Sequence, residues 1–175
     1  MITQLLAKSA TRKVAERLYA AAAAQARAPA LYALMGAPDT VEGRFELLTL
    51  HVILLIDRLK DGSGESASVR QVLFDVYVSN LDAALREMGV GDLAVGKRMR
   101  KLGEAFYGRA RACEAAFRAL PDRAPLEGAL ARTVFESAAE AAPESLADYL
   151  LRCRESLAAG DLRALVGGEP RWATA

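Results

Sequence analysis

Apolar residues recur every three or four positions along most of the chain, which is the spacing of a helix face that packs against other helices. The clearest stretches run from Val69 to Met88 and from Leu93 to Leu120, and each carries one apolar stripe. Segments in which apolar and polar residues alternate, as they do in half-buried strands, are absent. The pattern therefore predicts an all-α protein.

Glycines and prolines divide this pattern into separate helices. The predicted helices span residues 3–27, 41–60, 69–88, 93–120, 126–142 and 143–159, with a short apolar turn at 31–35 and a tail at 160–175. Pro29, Pro121 and Pro143 end or restart helices because proline has no backbone N–H to donate. We expect residues 1–175 to form a single domain, a compact bundle of about six or seven helices.

The helix predicted at residues 41–60 differs from the others, because Leu47 to Ile56 is apolar almost all round. Such a helix belongs in the centre of a domain. The apolar stretch is too short to cross a bilayer, which takes about 20 residues. His51 lies in its middle, and we interpret it as a core histidine that is hydrogen-bonded to a neighbouring group.

Total charge excludes some partners. The chain has 23 Lys and Arg against 22 Asp and Glu, a net charge of +1, and its pI is near 7.8. Nucleic-acid-binding domains usually have a pI above about 9, so no nucleic acid is predicted as a partner. Cys113 and Cys153 are the two cysteines, which cannot form a disulfide framework and fit a reducing cytoplasm.

The distribution of charge along the chain is uneven. Residues 1–35 have one acidic side chain, Glu16, and five basic ones: Lys8, Arg12, Lys13, Arg17 and Arg27. Residues 97–111 have one acidic side chain, Glu104, and six basic ones: Lys97, Arg98, Arg100, Lys101, Arg109 and Arg111. The basic faces of these helices are either simply exposed to solvent, or they bind an anionic membrane or an acidic partner. The candidates for facing a membrane are Lys8, Arg12, Lys13 and Arg17.

The chain carries little catalytic chemistry. His51 is the single histidine, Cys113 lies on a buried stripe, and no glycine-rich loop precedes a Lys-Ser or Lys-Thr pair. A nucleophile, a base and an orienting group cannot be assembled from these residues. We predict that the protein is not an enzyme and holds neither a metal ion nor a cofactor.

Several polar motifs exceed what a helical core requires, and together they resemble one family. The motifs are Tyr32, then Gly36-Ala37-Pro38-Asp39-Thr40 with Gly43-Arg44-Phe45-Glu46, then His51, Leu73-Phe74-Asp75, Arg86-Glu87-Met88-Gly89-Val90-Gly91-Asp92-Leu93, Lys97-Arg98-Met99 and Ala105-Phe106-Tyr107-Gly108-Arg109. In this order and spacing they resemble the ubiquinol-cytochrome c chaperone family. The resemblance covers about residues 15–155 and leaves out the first 15 residues and the tail after residue 155.

The resemblance implies an assembly chaperone for respiratory complex III. Mitochondrial members of the family bind newly made cytochrome b, work with a small partner protein, and hold cytochrome b for haem insertion and assembly. This sequence looks like a bacterial member that consists of little more than the core domain. We therefore expect cytochrome b as its client, a small partner protein as a further candidate, and a cytoplasmic location with peripheral association at the inner membrane.

The candidates for contacting this client are polar or half-exposed residues that the bundle itself does not demand: Arg44, Glu46, Asp92, Lys97, Arg98, Tyr107 and Arg109. Lys97 and Arg98 are expected near the start of a helix, where basic charge opposes the helix dipole. Tyr107 is expected to be a half-exposed anchor. In the competing interpretation, Arg44, Glu46 and Arg109 only pair with one another. Gly108 is interpreted as a point of close helix approach.

Two further functions stay open at this point. A helical carrier of lipid, quinone or haem would have a pocket lined by residues such as Phe45, Phe74 and Phe106. A general helical interaction module would bind partners without specificity for complex III.

Overall fold

This computed structural model describes residues 2–62, 64–136 and 143–175, without the side chains of residues 2–8. In this part of the chain, all the regular secondary structure is helical. The helices are α1 (Ile2–Gln25), α2 (Pro29–Ala33), α3 (Val41–Leu59), α4 (Glu65–Glu87), α5 (Asp92–Ala119), α6 (Ala124–Ala131), α7 (Pro143–Ala159) and α8 (Leu162–Val166). The all-α prediction is confirmed. Six of these helices have eight residues or more, and two have five.

Helix α3 lies at the centre of the fold, as its apolar composition predicts. It packs against α1, α4, α5 and α7. Leu47, Val52 and Leu55 are fully buried, although they point in different directions around the helix. A helix that is surrounded in this way must find partners inside the protein for each of its polar side chains.

The Thr49 hydroxyl of α3 shows how this requirement is met. It donates a hydrogen bond of 2.7 Å to the Phe45 carbonyl oxygen, and it lies 2.9 Å from the hydroxyl of Tyr77 on α4. At the far end of α3, Arg58 Nε donates to the carbonyl oxygen of Leu157 on α7 at 2.9 Å. These hydrogen bonds connect α3 to two different neighbours.

Helix α1 packs against α4 through a face of mostly small residues. Ala15, Leu18 and Ala22 of α1 are buried at intervals of three and four residues, and Ala26 is buried directly after the helix. Small side chains let two helix backbones approach closely, so the alanine-rich sequence serves packing as well as helix propensity.

The turn between α2 and α3 depends on two glycines. Gly36 has a φ of +72°, a conformation that residues with a Cβ rarely adopt. Thr40 caps α3 by accepting a hydrogen bond from the Gly43 backbone N–H at 3.1 Å. A Cβ at Gly43 would lie 2.1 Å from the Pro38 carbonyl oxygen, so this position has no room for a side chain.

The predicted boundaries need three corrections. Helix α4 begins at Glu65, four residues before the predicted start, because acidic Glu65 suits the first turn of a helix. Helix α6 begins at Ala124 and ends at Ala131, whereas residues 126–142 were predicted. The turn at 132–136 brings Val134 and Phe135 into the core, and residues 137–142 lie outside the described residues.

The predicted tail contains a helix and packs onto the bundle. Asp161 caps α8 by accepting a hydrogen bond from the Arg163 backbone N–H at 2.9 Å. Leu165 is buried in the core, and Trp172 packs against it. The Trp172 ring meets the ring of His51 edge-on, with 5.3 Å between centroids. The tail is therefore part of the folded structure.

We predict that Gly43→Ala lowers the free energy of unfolding by about 1–3 kcal/mol, because the added methyl group meets the fixed Pro38 carbonyl. Gly103→Ala is the matched control, since a Cβ at Gly103 in α5 meets nothing within 4 Å. Alanine there should stabilise the helix by up to about 1 kcal/mol. Urea unfolding of both variants measures the difference, and equal effects would contradict the close contact.

Candidate client-binding surface

The seven candidate residues lie on two helices. Arg44 and Glu46 lie near the start of α3, and Asp92 to Arg109 extend along α5 for about 26 Å at 1.5 Å per residue. The structure does not gather them into one site. It divides them into residues that pair inside the protein and residues that are left exposed.

Glu46 and Arg109 form a buried ion pair between α3 and α5. Both nitrogens Nε and Nη2 of Arg109 donate to the two carboxylate oxygens of Glu46. The side chain of Glu46 is 8% exposed and that of Arg109 is 21% exposed, and the guanidinium also lies 5.9 Å from the Phe45 ring centroid. A two-bond pair of this kind fixes how α5 docks on α3.

Arg44 does not join this pair. Its Nε donates to the carboxylate of Asp39 at 2.6 Å on the exposed surface. This hydrogen bond lowers the pKa of Asp39. The idea that Arg44, Glu46 and Arg109 pair with one another therefore holds for two of the three residues.

Asp92 is also engaged within the protein. It is the first residue of α5, where a negative charge suits the helix dipole, and it accepts a hydrogen bond from Arg86 at the end of α4. Arg86 Nε donates to Asp82 as well, at 2.7 Å. Arg86 thus connects the last turn of α4 with the first turn of α5.

Lys97 and Arg98 are exposed, and neither forms an ion pair with any residue that the structure describes. Helix α5 begins at Asp92, which places both residues in its second turn. The helix dipole acts within the first turn, so the expected opposition between these charges and the dipole does not apply. Their lack of partners is what distinguishes them from Glu46 and Arg109.

Tyr107 is 55% exposed, as expected for a half-exposed anchor. Its ring lies 5.6 Å from Phe74 on α4 and 5.8 Å from Phe106, between centroids. One face of the ring is therefore supported by the core while the rest of the side chain is accessible. Aromatic residues held in this way are common at protein interfaces.

Gly108 borders open space, which contradicts the prediction of close helix approach. A Cβ there would meet nothing within 4 Å. The residue lies on a shallow groove of about 190 Å³ between α5 and α6, with Leu50 of α3 among its lining residues. The sequence signal that was missed is the run of small residues at Ala105, Gly108 and Ala112, which leaves room beside Leu126 and Leu130.

The structure does not support a carrier of apolar ligands. Phe74, Phe106 and Tyr77 pack against one another at centroid distances of 5.0–6.4 Å and fill the space that a ligand would need. The groove beside Gly108 is smaller than the roughly 300–1,000 Å³ of typical ligand pockets. Two larger depressions, of about 310 and 510 Å³, are lined mostly by charged side chains such as Arg44 and Arg17, which do not suit an apolar ligand. Phe45 contacts Arg109 instead of a cavity.

The basic residues of α1 show a different arrangement. Arg12 pairs with Glu16 at 2.9 Å, while Lys13 and Arg17 are exposed. A Cβ at Gly168 would lie 2.9 Å from Arg17 Nε, which shows that the tail packs beside Arg17. The side chain of Lys8 lies outside the described residues.

Comparison with known proteins identifies the family. A family model described as ubiquinol-cytochrome C chaperone matches residues 33–172. The chain belongs to the ubiquinol-cytochrome c chaperone family. The crystal structure of the Cbp3 homolog from Brucella abortus is similar to this chaperone, with 35% sequence identity and a TM-score of 0.85, and the match covers 99% of this chain and 97% of that chain. A comparison with curated proteins gives no match.

The family match extends further towards the carboxyl end than predicted. The resemblance was expected to end near residue 155, but the match continues to residue 172 and includes α8 and Trp172. It begins at residue 33, later than the predicted residue 15. The contact between Trp172 and His51 joins this tail to the central helix α3.

His51 of this chaperone has the core role expected from the sequence. Its Nδ1–H donates to the Leu47 carbonyl oxygen at 2.7 Å, and its Nε2 accepts from the Tyr149 hydroxyl at 2.8 Å. The same hydroxyl accepts from Gln25 Nε2 at 2.8 Å, so one network joins α1, α3 and α7. Burial lowers the pKa of His51 to about 4, which keeps the ring neutral.

The other candidate for covalent chemistry is also embedded in the core. Burial raises the pKa of the Cys113 thiol to about 12, so it is not a thiolate near neutral pH. Within the described residues, no group of three His, Cys, Asp or Glu side chains is arranged to hold a metal ion. In the same residues, no helix is long and apolar enough to cross a membrane.

The His51 network predicts a pH dependence of stability. The pKa of His51 is about 6.5 in the unfolded chain and about 4 in the folded protein, so between these values the unfolded state binds the extra proton. Stability should therefore fall as pH falls through this window, by about 2 kcal/mol from pH 8 to pH 5 on account of this residue.

The measurement is urea unfolding at both pH values for the wild-type protein and for His51→Gln. The variant should be less stable at pH 8, because the network is disturbed, but should lose less stability at pH 5. Since other titrating groups are common to both proteins, an equal loss in the two would show that His51 does not carry this effect.

Proposed function

We propose that this protein is an assembly chaperone for respiratory complex III that binds newly made cytochrome b and holds it for haem insertion and assembly. The observation that carries this proposal is the match to the ubiquinol-cytochrome c chaperone family over residues 33–172, together with similarity to the Brucella abortus Cbp3 homolog along 99% of the chain. In this proposal the protein binds no cofactor itself, since the haem belongs to the client, and it catalyses no reaction.

The client surface that we propose is the exposed side of α5. Among the seven candidates, Lys97, Arg98 and Tyr107 are exposed and form no ion pair among the described residues, so they are free to contact a partner. Glu46 and Arg109 act by fixing α5 in place. Arg44 pairs with Asp39 at the turn before α3, and Asp92 pairs with Arg86 at the turn between α4 and α5.

We place this activity at the cytoplasmic face of the inner membrane, because cytochrome b is a membrane protein. A chaperone for such a client has to stand beside the bilayer while segments of the client are exposed. A small partner protein is a further candidate component, as in mitochondrial members of the family.

The test begins with deletion of the gene, which should lower the content of assembled complex III. The double charge reversal Lys97→Glu/Arg98→Glu should restore it poorly, to less than half of the wild-type level, and should reduce capture of cytochrome b from detergent extracts severalfold. Exposed positions without partners contribute little to stability, so the melting temperature should change by no more than about 2 °C.

The matched control is Lys13→Glu/Arg17→Glu, which reverses two exposed charges on α1. It should restore complex III and capture cytochrome b. Normal complex III in the deletion strain would contradict the proposed function. Full capture by Lys97→Glu/Arg98→Glu would leave the function standing and show that the client binds elsewhere.

A further inference from the structure

Helix α5 has an outward side that no other element covers. At 100° per residue, seven exposed positions that carry a side chain fall within an arc of about 120° between residues 93 and 111. These positions, called here the outer face of α5, are Leu93, Lys97, Arg100, Lys101, Glu104, Tyr107 and Arg111. From Leu93 to Arg111 the face is about 27 Å long.

The charge of this face is not neutralised by the protein. It carries four cations and one anion, Glu104, and none of the five makes an ion pair with another described residue. Some exposed arginines elsewhere are paired with acids, as in Arg44 with Asp39 and Arg118 with Glu114, whereas others, such as Arg27, form no ion pair with a described residue. A net charge of +3 along one helix face is complementary to an anionic surface.

Apolar side chains accompany these cations. Leu93 is fully exposed, Tyr107 is 55% exposed, and Met88 at the neighbouring end of α4 is 58% exposed. Three of the five large apolar side chains that are exposed in the described structure therefore lie on α5 or at the end of α4 next to it. The other two, Leu34 and Val41, flank the turn between α2 and α3, where Arg44 is already paired.

The turn that carries Leu93 and Met88 is held by several hydrogen bonds. The Val90 backbone N–H donates to the Leu85 carbonyl oxygen at 3.0 Å, and Gly89 takes a φ of +80° to allow it. Arg86 bonds both to Asp82 on α4 and to Asp92 on α5. The apolar side chains are thus presented on a fixed frame.

We propose that the outer face of α5 is a docking surface for anionic phospholipid. Basic side chains beside exposed Leu and aromatic residues, on a helix that lies parallel to the surface, are what interfacial helices use to bind such membranes. The cations meet lipid phosphates, while Leu93 and Tyr107 enter the boundary between headgroups and acyl chains. The inference deepens the proposed function by naming the surface that meets the membrane, and it rests on that function for its biological purpose.

This assignment differs from the expectation that Lys8, Arg12, Lys13 and Arg17 on α1 face the membrane. Arg12 is paired with Glu16, and the tail packs beside Arg17. Among the described side chains of α1, no large apolar one is exposed. Helix α1 therefore offers basic charge but no exposed large apolar side chain, among those described, that could insert into a membrane.

The experiment measures binding of the purified full-length protein to vesicles by flotation. Vesicles of phosphatidylcholine with about 30% phosphatidylglycerol should bind it, pure phosphatidylcholine vesicles should not, and salt should weaken binding. Arg100→Gln/Lys101→Gln should reduce binding roughly thirtyfold, at about fivefold for each cation near the surface. Leu93→Ser should reduce it about tenfold while leaving the melting temperature unchanged.

Lys13→Gln/Arg17→Gln is the matched control on α1 and should reduce binding less than fivefold. Equal loss in the two double variants would show attraction by net charge alone and would overturn the assignment to α5. Equal binding to neutral vesicles, or no binding to either, would also overturn it. Tighter binding of this face to an acidic peptide or to RNA than to anionic vesicles would identify a different occupant and reject the proposal.

The variants avoid the proposed client contacts, so the two ideas can fail separately. Arg100, Lys101 and Leu93 are not among the client candidates, and capture of cytochrome b in detergent does not need a membrane. The outer face of α5 shares Lys97 and Tyr107 with the proposed client contacts. Loss of vesicle binding in Arg100→Gln/Lys101→Gln with normal capture in detergent therefore shows that this face meets the membrane through residues that the client does not need. Normal complex III in the gene deletion, together with the predicted vesicle binding, would remove the proposed function and keep the membrane contact.

Discussion

The fold depends on the need of the polar side chains of α3 for partners inside the protein. Because α3 is surrounded, an unpaired polar group on it would cost about 1–3 kcal/mol, and more for a charge. Each such group is satisfied by a different neighbour: Glu46 by Arg109 of α5, Thr49 by Tyr77 of α4, and His51 by Tyr149 of α7. Apolar burial supplies the driving force, while these pairs specify how the helices dock.

This division separates the charges of the family motifs that pair inside the protein from those that we propose as client contacts. Glu46 and Arg109 neutralise each other between two helices, which holds α5 against α3. The cations nearer the start of α5, such as Lys97 and Arg98, form no ion pair with a described residue and lie in solvent. A chaperone must bind exposed segments of another protein without losing its own fold, and a rigid helix with unpaired charges on its outward side meets both requirements.

The sequence predicted the parts of this structure that depend on local pattern. Apolar residues all round α3 placed it in the centre, and the isolation of His51 in that helix indicated a core role. The pairing of Glu46 with Arg109 joins residues 63 positions apart, so spacing alone could not distinguish it from a client site. The docking of Trp172 was missed because the helical spacing of the tail is limited to the five residues of α8, and Trp172 lies beyond them. Its contact with His51 joins residues far apart in the sequence.

The central claim, that polar pairing with α3 sets the position of α5, is tested most directly by a double-mutant cycle of Glu46→Gln and Arg109→Met. Either single change leaves a buried group unpaired and should lower the free energy of unfolding by about 3 kcal/mol. The double variant should recover about 2 kcal/mol relative to the sum of the two losses, as expected for residues in direct contact. Losses that simply add would contradict this account of the fold.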